Sequence, residues 1–167
     1  MGIGMPESTV NDTATAGVIA RPPLLVLAAL LAGFALDHLL PLPVAVPRGG
    51  EVVHRLVPAA FILMGLALFA AGIRNFVRAA TPVPTTEPAR ALVTTGIHGW
   101  SRNPIYVGML LVYAGIGIAV RSPWILALAL PLALTIRYGV IAREEAYLDR
   151  RFGEAYRDYK ARVRRWL

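Results

Sequence analysis

Apolar residues gather into four long runs, separated by shorter polar stretches that hold most of the charge. The runs extend from about Pro22 to Leu40, Val53 to Ile73, Pro104 to Val120 and Pro123 to Ala142. Each matches the roughly 20 residues, with about 17–25 observed, that a helix needs to cross a bilayer. Pro22-Pro23, Pro104 and Pro123 suit first helical turns, where the missing N–H has no intrahelical partner to lose. Pro131 lies inside the fourth run and predicts a kink or one loosened hydrogen bond. Gly33, Gly65, Gly115, Gly117, Ala127, Ala129 and Ala133 supply small surfaces at which helices approach closely. Gly115-x-Gly117 also fits a ligand passing near the backbone, but close packing is the simpler reading.

Only Arg121-Ser122 separates the third and fourth runs, which predicts a tight hairpin whose other ends are neighbours. Beyond Arg143 the periodicity changes. Leu148, Phe152, Tyr156, Tyr159, Val163 and Trp166 form one aromatic-rich stripe at helical spacing, opposite a charged face. Residues 143–167 therefore read as an amphipathic helix that lies in the interface or folds over the bundle's mouth, with Gly153 as a break point. The fold class is all-α, a polytopic membrane bundle of four transmembrane helices with a C-terminal interfacial amphipathic helix. Residues 21–167 form one domain, and residues 1–20, small and polar, form a mobile tail. The first run is longer than a signal peptide's apolar core of roughly 7–15 residues. Pro6 stands where a Gly2 myristoylation signal needs Ser or Thr.

Composition agrees with this pattern. The 167 residues are 56% hydrophobic and 16% charged, with a mean hydropathy of +0.57. Soluble domains average about 45–50% and about 25%. With no cysteine, disulfides, thiolate metal sites and cysteine nucleophiles are excluded. The net charge of +7 reads as topology and contact with membrane lipids, not as nucleic-acid binding. Arg74, Arg78, Arg90, Arg102 and the arginine-rich tail flank one side, against Arg48, Arg55 and Arg121 on the other. The positive-inside rule then puts both termini in the cytoplasm, in a bacterial cytoplasmic membrane. The small-residue faces are compatible with a dimer.

Two polar clusters stand at the inner ends of the hairpin. Arg102-Asn103-Pro104-Ile105-Tyr106 opens the third run, and Glu144-Glu145 follows the fourth. Arg102 suits a bidentate grip on a carboxylate. Pro104 fixes a helix start whose first N–H groups face a polar ligand, and Tyr106 adds a ring and a hydroxyl. Adjacent helical carboxylates diverge by about 100°, so one Glu faces the bundle and the other pairs with an arginine of the tail. The functional reading is a carboxylate accepting from ligand hydroxyl or ammonium groups. The bland alternatives are a salt-bridged helix end, a topology arginine and an interfacial tyrosine. His38, His54 and His98 make no metal pattern, and neither a Ser-His-Asp arrangement nor a phosphate loop is present.

Taken in order, Leu92-Val93-Thr94 with Gly96, Arg102 to Gly108, Glu144-Glu145 with Leu148, and Phe152-Gly153 with Tyr156 and Tyr159 resemble a known signature. It is that of the membrane methyltransferases related to isoprenylcysteine carboxyl methyltransferase and the phospholipid N-methyltransferases. The resemblance covers about Arg90 to Val163. It implies an S-adenosylmethionine pocket on the cytoplasmic side, with S-adenosylhomocysteine as product, contacted by Leu92, Val93, His98, Asn103, Pro104, Tyr106 and Glu144. Arg102 and Glu145 join these as supports, and Arg102 and Tyr106 are the positioning candidates. The chain departs from the prenylcysteine enzymes at His98 (commonly Tyr), Asn103 (His) and Val140 (an Arg associated with substrate). Arg137, two turns before Glu144, is the residue that compensates for Val140.

Methyl transfer from a sulfonium needs alignment and exclusion of water more than acid–base help, so the absence of an evident general base is no obstacle. A lipophilic or amphiphilic substrate would enter sideways between helices. The alternatives are a non-catalytic sensor or scaffold that retains the fold, and a membrane reductase, for whose nicotinamide dinucleotide this chain is short.

Overall fold

The computed structural model describes residues 15–42, 51–83 and 87–167, with side chains from His54 onward in the second helix. Gly2, Pro6 and Arg48 lie outside the described residues. Helix α1 is Pro22–Leu39, α2 is Glu51–Arg78, α3 is Pro104–Ala119 and α4 is Pro123–Thr135. A π-helical stretch, Ile136–Ile141, leads without a gap into α5, Ala142–Arg162. One short 3₁₀ turn, Gly96–Gly99, precedes α3.

The helices run up and down. The indole Nε1 of Trp124 donates to the Leu40 carbonyl at 2.7 Å, joining the end of α1 to the start of α4. At the opposite end Ile19 N donates to Gly139 O at 3.2 Å, joining the segment before α1 to the end of the α4 rod. Helix α3 turns into α4 through Arg121, at φ 55°, and Ser122, whose hydroxyl accepts from Ile125 N at 2.9 Å. Helices α2 and α3 form the most extensive pairing. A Cβ on Gly65 would stand 2.6 Å from the Gly108 carbonyl, and one on Gly108 would stand 2.5 Å from the Gly65 carbonyl. Only glycine permits that approach.

The core is small: Tyr113, Ile125, Ile136, Val140 and Ile141 are wholly covered. Leu24, Leu27, Leu31, Leu63, Leu66 and Leu130 are at least half exposed. Helices keep every backbone bond internal and turn apolar side chains outward when the solvent is lipid.

Among the described residues, three helices are long and apolar enough to cross a membrane: Pro22–Leu39, His54–Arg78 and Pro123–Arg162. Helix α3, apolar but of 16 residues, is shorter than the expected fourth crossing and packs as half of the hairpin with α4. Helix α2 continues five residues past Ile73, which brings Asn75 and Phe76 to its inner end. Pro131 does not produce a break of its own. The ladder instead changes to π pairing five residues later. From Pro123 to the Gly153 break the rod runs about 45 Å at 1.5 Å per residue, about half as long again as the hydrocarbon is thick. Its α5 portion therefore extends beyond the bilayer core. Gly153, at φ 52° and ψ −121°, bends α5 back over the inner end of the bundle. Ordered packing starts earlier than the expected tail boundary. Ala16 is buried with Ala89 and Tyr147, and Arg143 Nη1 donates to Gly17 O at 2.8 Å.

Candidate functional site

The inner ends of α2, α3 and α5 enclose a polar hollow of about 510 Å³, counting its open mouth. Its walls include Leu92, Val93, His98, Arg102, Asn103, Glu144 and Glu145, together with Phe76, Leu148, Tyr156 and Tyr159. A second recess of about 250 Å³ shares His98, Arg102, Asn103 and Glu144 and adds Pro104 and Tyr106.

The acidic doublet divides as helical geometry requires. Glu144 turns into the bundle, 7% exposed, and Oε1 accepts the Tyr106 hydroxyl at 2.7 Å. Burial pushes its carboxyl up to about 7. The Tyr106 hydrogen bond pulls it down, and the charge of Glu145 adds to the rise. Glu145 turns toward the tail. Arg165 grips it through Nε to Oε1 at 2.9 Å and Nη2 to Oε2 at 2.7 Å. Arg102 Nη2 also reaches Glu145 Oε1, at 3.1 Å. The Arg102 side chain is 8% exposed, yet its Nε and Nη1 have no partner among the described residues. Buried polar groups are normally paired, so these two N–H groups mark a place for an acceptor.

His98 is held by α2. The Asn75 amide nitrogen donates to Thr95 O at 2.8 Å and lies 3.3 Å from His98 Nδ1. An NH₂ group can only donate, so Nδ1 accepts and the ring proton sits on Nε2. Phe76 meets the imidazole edge-on at 5.1 Å. Burial lowers His98 to about 4 and keeps it neutral near pH 7. Gly96, at φ +58°, turns the chain where a Cβ would strike the Asn75 side chain at 2.7 Å.

The loop carrying Leu92 and Val93 is fixed at both sides. Thr81 Oγ1 accepts from Arg90 N at 2.8 Å, Tyr147 accepts from Ala89 N at 2.9 Å, and Arg151 Nε donates to Ala89 O at 2.5 Å. The tail closes the other wall. Tyr159 donates to His98 O at 2.7 Å, Arg102 N donates to Arg164 O at 2.9 Å, and Asn103 Nδ2 donates to Arg165 O at 2.9 Å. The aromatic stripe of α5 is thus turned onto the bundle, with Tyr156 and Tyr159 buried. Asn103 spends one amide hydrogen on the tail, which leaves the other hydrogen and the carbonyl oxygen for a ligand.

Arg137 stands apart. It is half-buried, 5.3 Å from the Tyr138 ring, with Nε unpartnered, and it lines neither recess. Asn75 and Phe76 escaped sequence reasoning because the apolar run fades at Ile73. The seven-residue spacing of Phe69 and Phe76, which keeps one helical face, was the available signal. An apolar groove of about 560 Å³ lies beyond, lined by Pro23, Val26, Leu66, Phe69, Gly108, Met109 and Val112. Phe69 is on the Phe76 face of α2, and Met109 is one turn past Ile105, so the groove lies bilayer-ward of the hollow.

An uncharacterized protein of Haemophilus influenzae (strain ATCC 51907 / DSM 11121 / KW20 / Rd) is 59% identical over 34 residues, 20% of this chain. The chain spans about half, 54%, of that relative's length. No solved structure matches. The phospholipid methyltransferase family matches residues 53–155, from the second helix through the Gly153 bend and including the whole Arg102–Glu145 corner. With well over half its length in that match, the chain belongs to the phospholipid methyltransferase family, a family of membrane methyltransferases.

Proposed function

We propose that the chain is an S-adenosylmethionine-dependent methyltransferase acting on a lipophilic or amphiphilic small molecule. The polar hollow is its cofactor site, and the apolar groove receives the substrate's hydrocarbon part. The observation that carries this reading is the Arg102 guanidinium, buried with Nε and Nη1 unpartnered beside a buried carboxylate. A nucleoside that bears a zwitterionic amino-acid group complements that pair. Its carboxylate suits Arg102, and its hydroxyl or ammonium donors suit Glu144. The walls of Phe76, Leu148, Tyr156 and Tyr159 suit a purine. When bound, S-adenosylmethionine supplies a methyl group made electrophilic by the sulfonium.

The chain's own residues hold and align. Tyr106 fixes the Glu144 carboxylate, and Asn75 fixes the His98 ring with Nε2–H as donor. The folded-back α5 and tail keep water from the cofactor end. An amphiphile entering from the bilayer through the groove would bring its nucleophile to the same corner. In this reading residues 21–167 act as one domain. Both termini and the hollow face the cytoplasm, and the protein sits in a bacterial cytoplasmic membrane.

Calorimetry of detergent-purified protein with S-adenosylhomocysteine tests the assignment. The wild type should bind, and Glu144→Ala should bind about tenfold or more weakly, the loss of hydrogen bonds to a charged group. Equal affinity in the two proteins, or no binding to either, would defeat the site. Transfer of labelled methyl into a total lipid extract then identifies the acceptor class.

A further inference from the structure

One carboxylate, Glu145, lies between two guanidinium groups that hold it unequally. Arg165 uses both of its oxygens in a fork at 2.9 and 2.7 Å. Arg102 shares only Oε1, through Nη2 at 3.1 Å, and keeps Nε and Nη1 unpartnered. With the facing lone pairs of both oxygens taken by the Arg165 fork, Glu145 meets Arg102 through a single contact. Were Arg165 absent, Glu145 would turn and take a full fork on Arg102, Nη2 together with Nε or Nη1, and so compete for the acceptor place. The charge would change as well, because the Arg102–Glu145–Arg165 cluster carries one net positive charge, whereas Arg102 with Glu145 alone is neutral. The same tail fixes the corner's backbone, since the Arg164 and Arg165 carbonyls accept from Arg102 N and Asn103 Nδ2.

We propose that Arg165 is a positioning residue that draws Glu145 away from Arg102 and so keeps the unpartnered edges of the Arg102 guanidinium open to the carboxylate of the bound cofactor. The inference rests on the S-adenosyl reading given above. It adds a source of discrimination, since a ligand's carboxylate is favoured only while Arg165 occupies Glu145.

The test compares two ligands that differ in one group, S-adenosylhomocysteine and its decarboxylated analogue, by calorimetry on the full-length protein. Arg165→Leu should weaken S-adenosylhomocysteine by about tenfold, the loss of a charge-assisted pair. The decarboxylated analogue should keep its wild-type affinity. Glu145→Gln added to Arg165→Leu should restore most of the loss, because an uncharged amide no longer competes for Arg102 with full charge. Arg165→Lys, which keeps a cation on Glu145 without the fork, should fall between and guards against a misfolded leucine variant. Equal weakening of both ligands, or no recovery in the double variant, would make Arg165 a mere clamp for the tail and overturn the proposal. Failure of the wild type to bind either ligand would instead remove the S-adenosyl reading, and this inference with it.

Discussion

Glu144 and Glu145 leave the helix about 100° apart, and neighbours rather than chemistry assign them different partners. Glu144 meets a tyrosine hydroxyl inside the bundle, while Glu145 meets two arginines at its edge. That division was legible in the sequence, because adjacency forces divergence. The partners were not, since Arg165 and Glu145 are 20 residues apart and meet only when the tail returns. His98 offers a test at this scale. Its folded value of about 4 lies below the ordinary 6.5. The stability it contributes is therefore present above about 6.5 and is lost as pH falls through 4. Glu144, raised to about 7, works with the opposite sign, its contribution declining as pH rises from about 4.5 to 7. The difference between wild type and His98→Gln isolates the histidine. The wild type should lose melting temperature relative to the variant on acidification from pH 6.5 to 4. Parallel curves would show that His98 is not neutralised by its surroundings.

At the scale of elements, α2 and α3 touch backbone to backbone at Gly65 and Gly108, and this contact sets where the Arg102–Tyr106 corner stands relative to Phe76 and Asn75. Gly108→Ala would place a methyl 2.5 Å from the Gly65 carbonyl and 2.9 Å from Phe69 N, both backbone atoms that cannot swing aside. Overpacking of this kind costs about 1–3 kcal/mol, so thermal unfolding in detergent should start several degrees lower. Gly99→Ala, whose nearest neighbour is 3.6 Å away, should leave it unchanged. The helix ends were readable from Pro22, Pro104 and Pro123, because a proline ring fixes the first turn. The π stretch at Ile136–Ile141 had no comparable signal. It forms where Gly139 lets the Ile19 segment approach, and its carbonyl bonds Ile19 N, a contact made by residues 120 positions away in the chain.

The whole molecule is an up-and-down bundle whose polar ends gather on one side. Because the chain has no cysteine, single cysteines report topology directly. Trp100→Cys, at a position 80% exposed beside the hollow, should resist a membrane-impermeant maleimide in intact cells and react after lysis. Val120→Cys, 48% exposed at the opposite hairpin, should react in intact cells. The reverse pattern would invert the orientation and deny the hollow access to cytoplasmic cofactor.

Four apolar runs, their proline starts, the hairpin and the amphipathic tail were fixed by sequence alone, since helix length and period are local consequences of burial in lipid. So was the pairing of the Arg102 corner with the acidic doublet, because a two-residue turn returns the fourth run beside the third. The tertiary structure decided the rest. It extended α2 to bring Asn75 and Phe76 to the hollow, bent α5 at Gly153, and chose closure over the mouth in place of a free interfacial helix. It also gave Glu145 to Arg165 and left Arg137 outside. These are choices among contacts distant along the chain, and their free energies depend on which surfaces the folded bundle brings within reach.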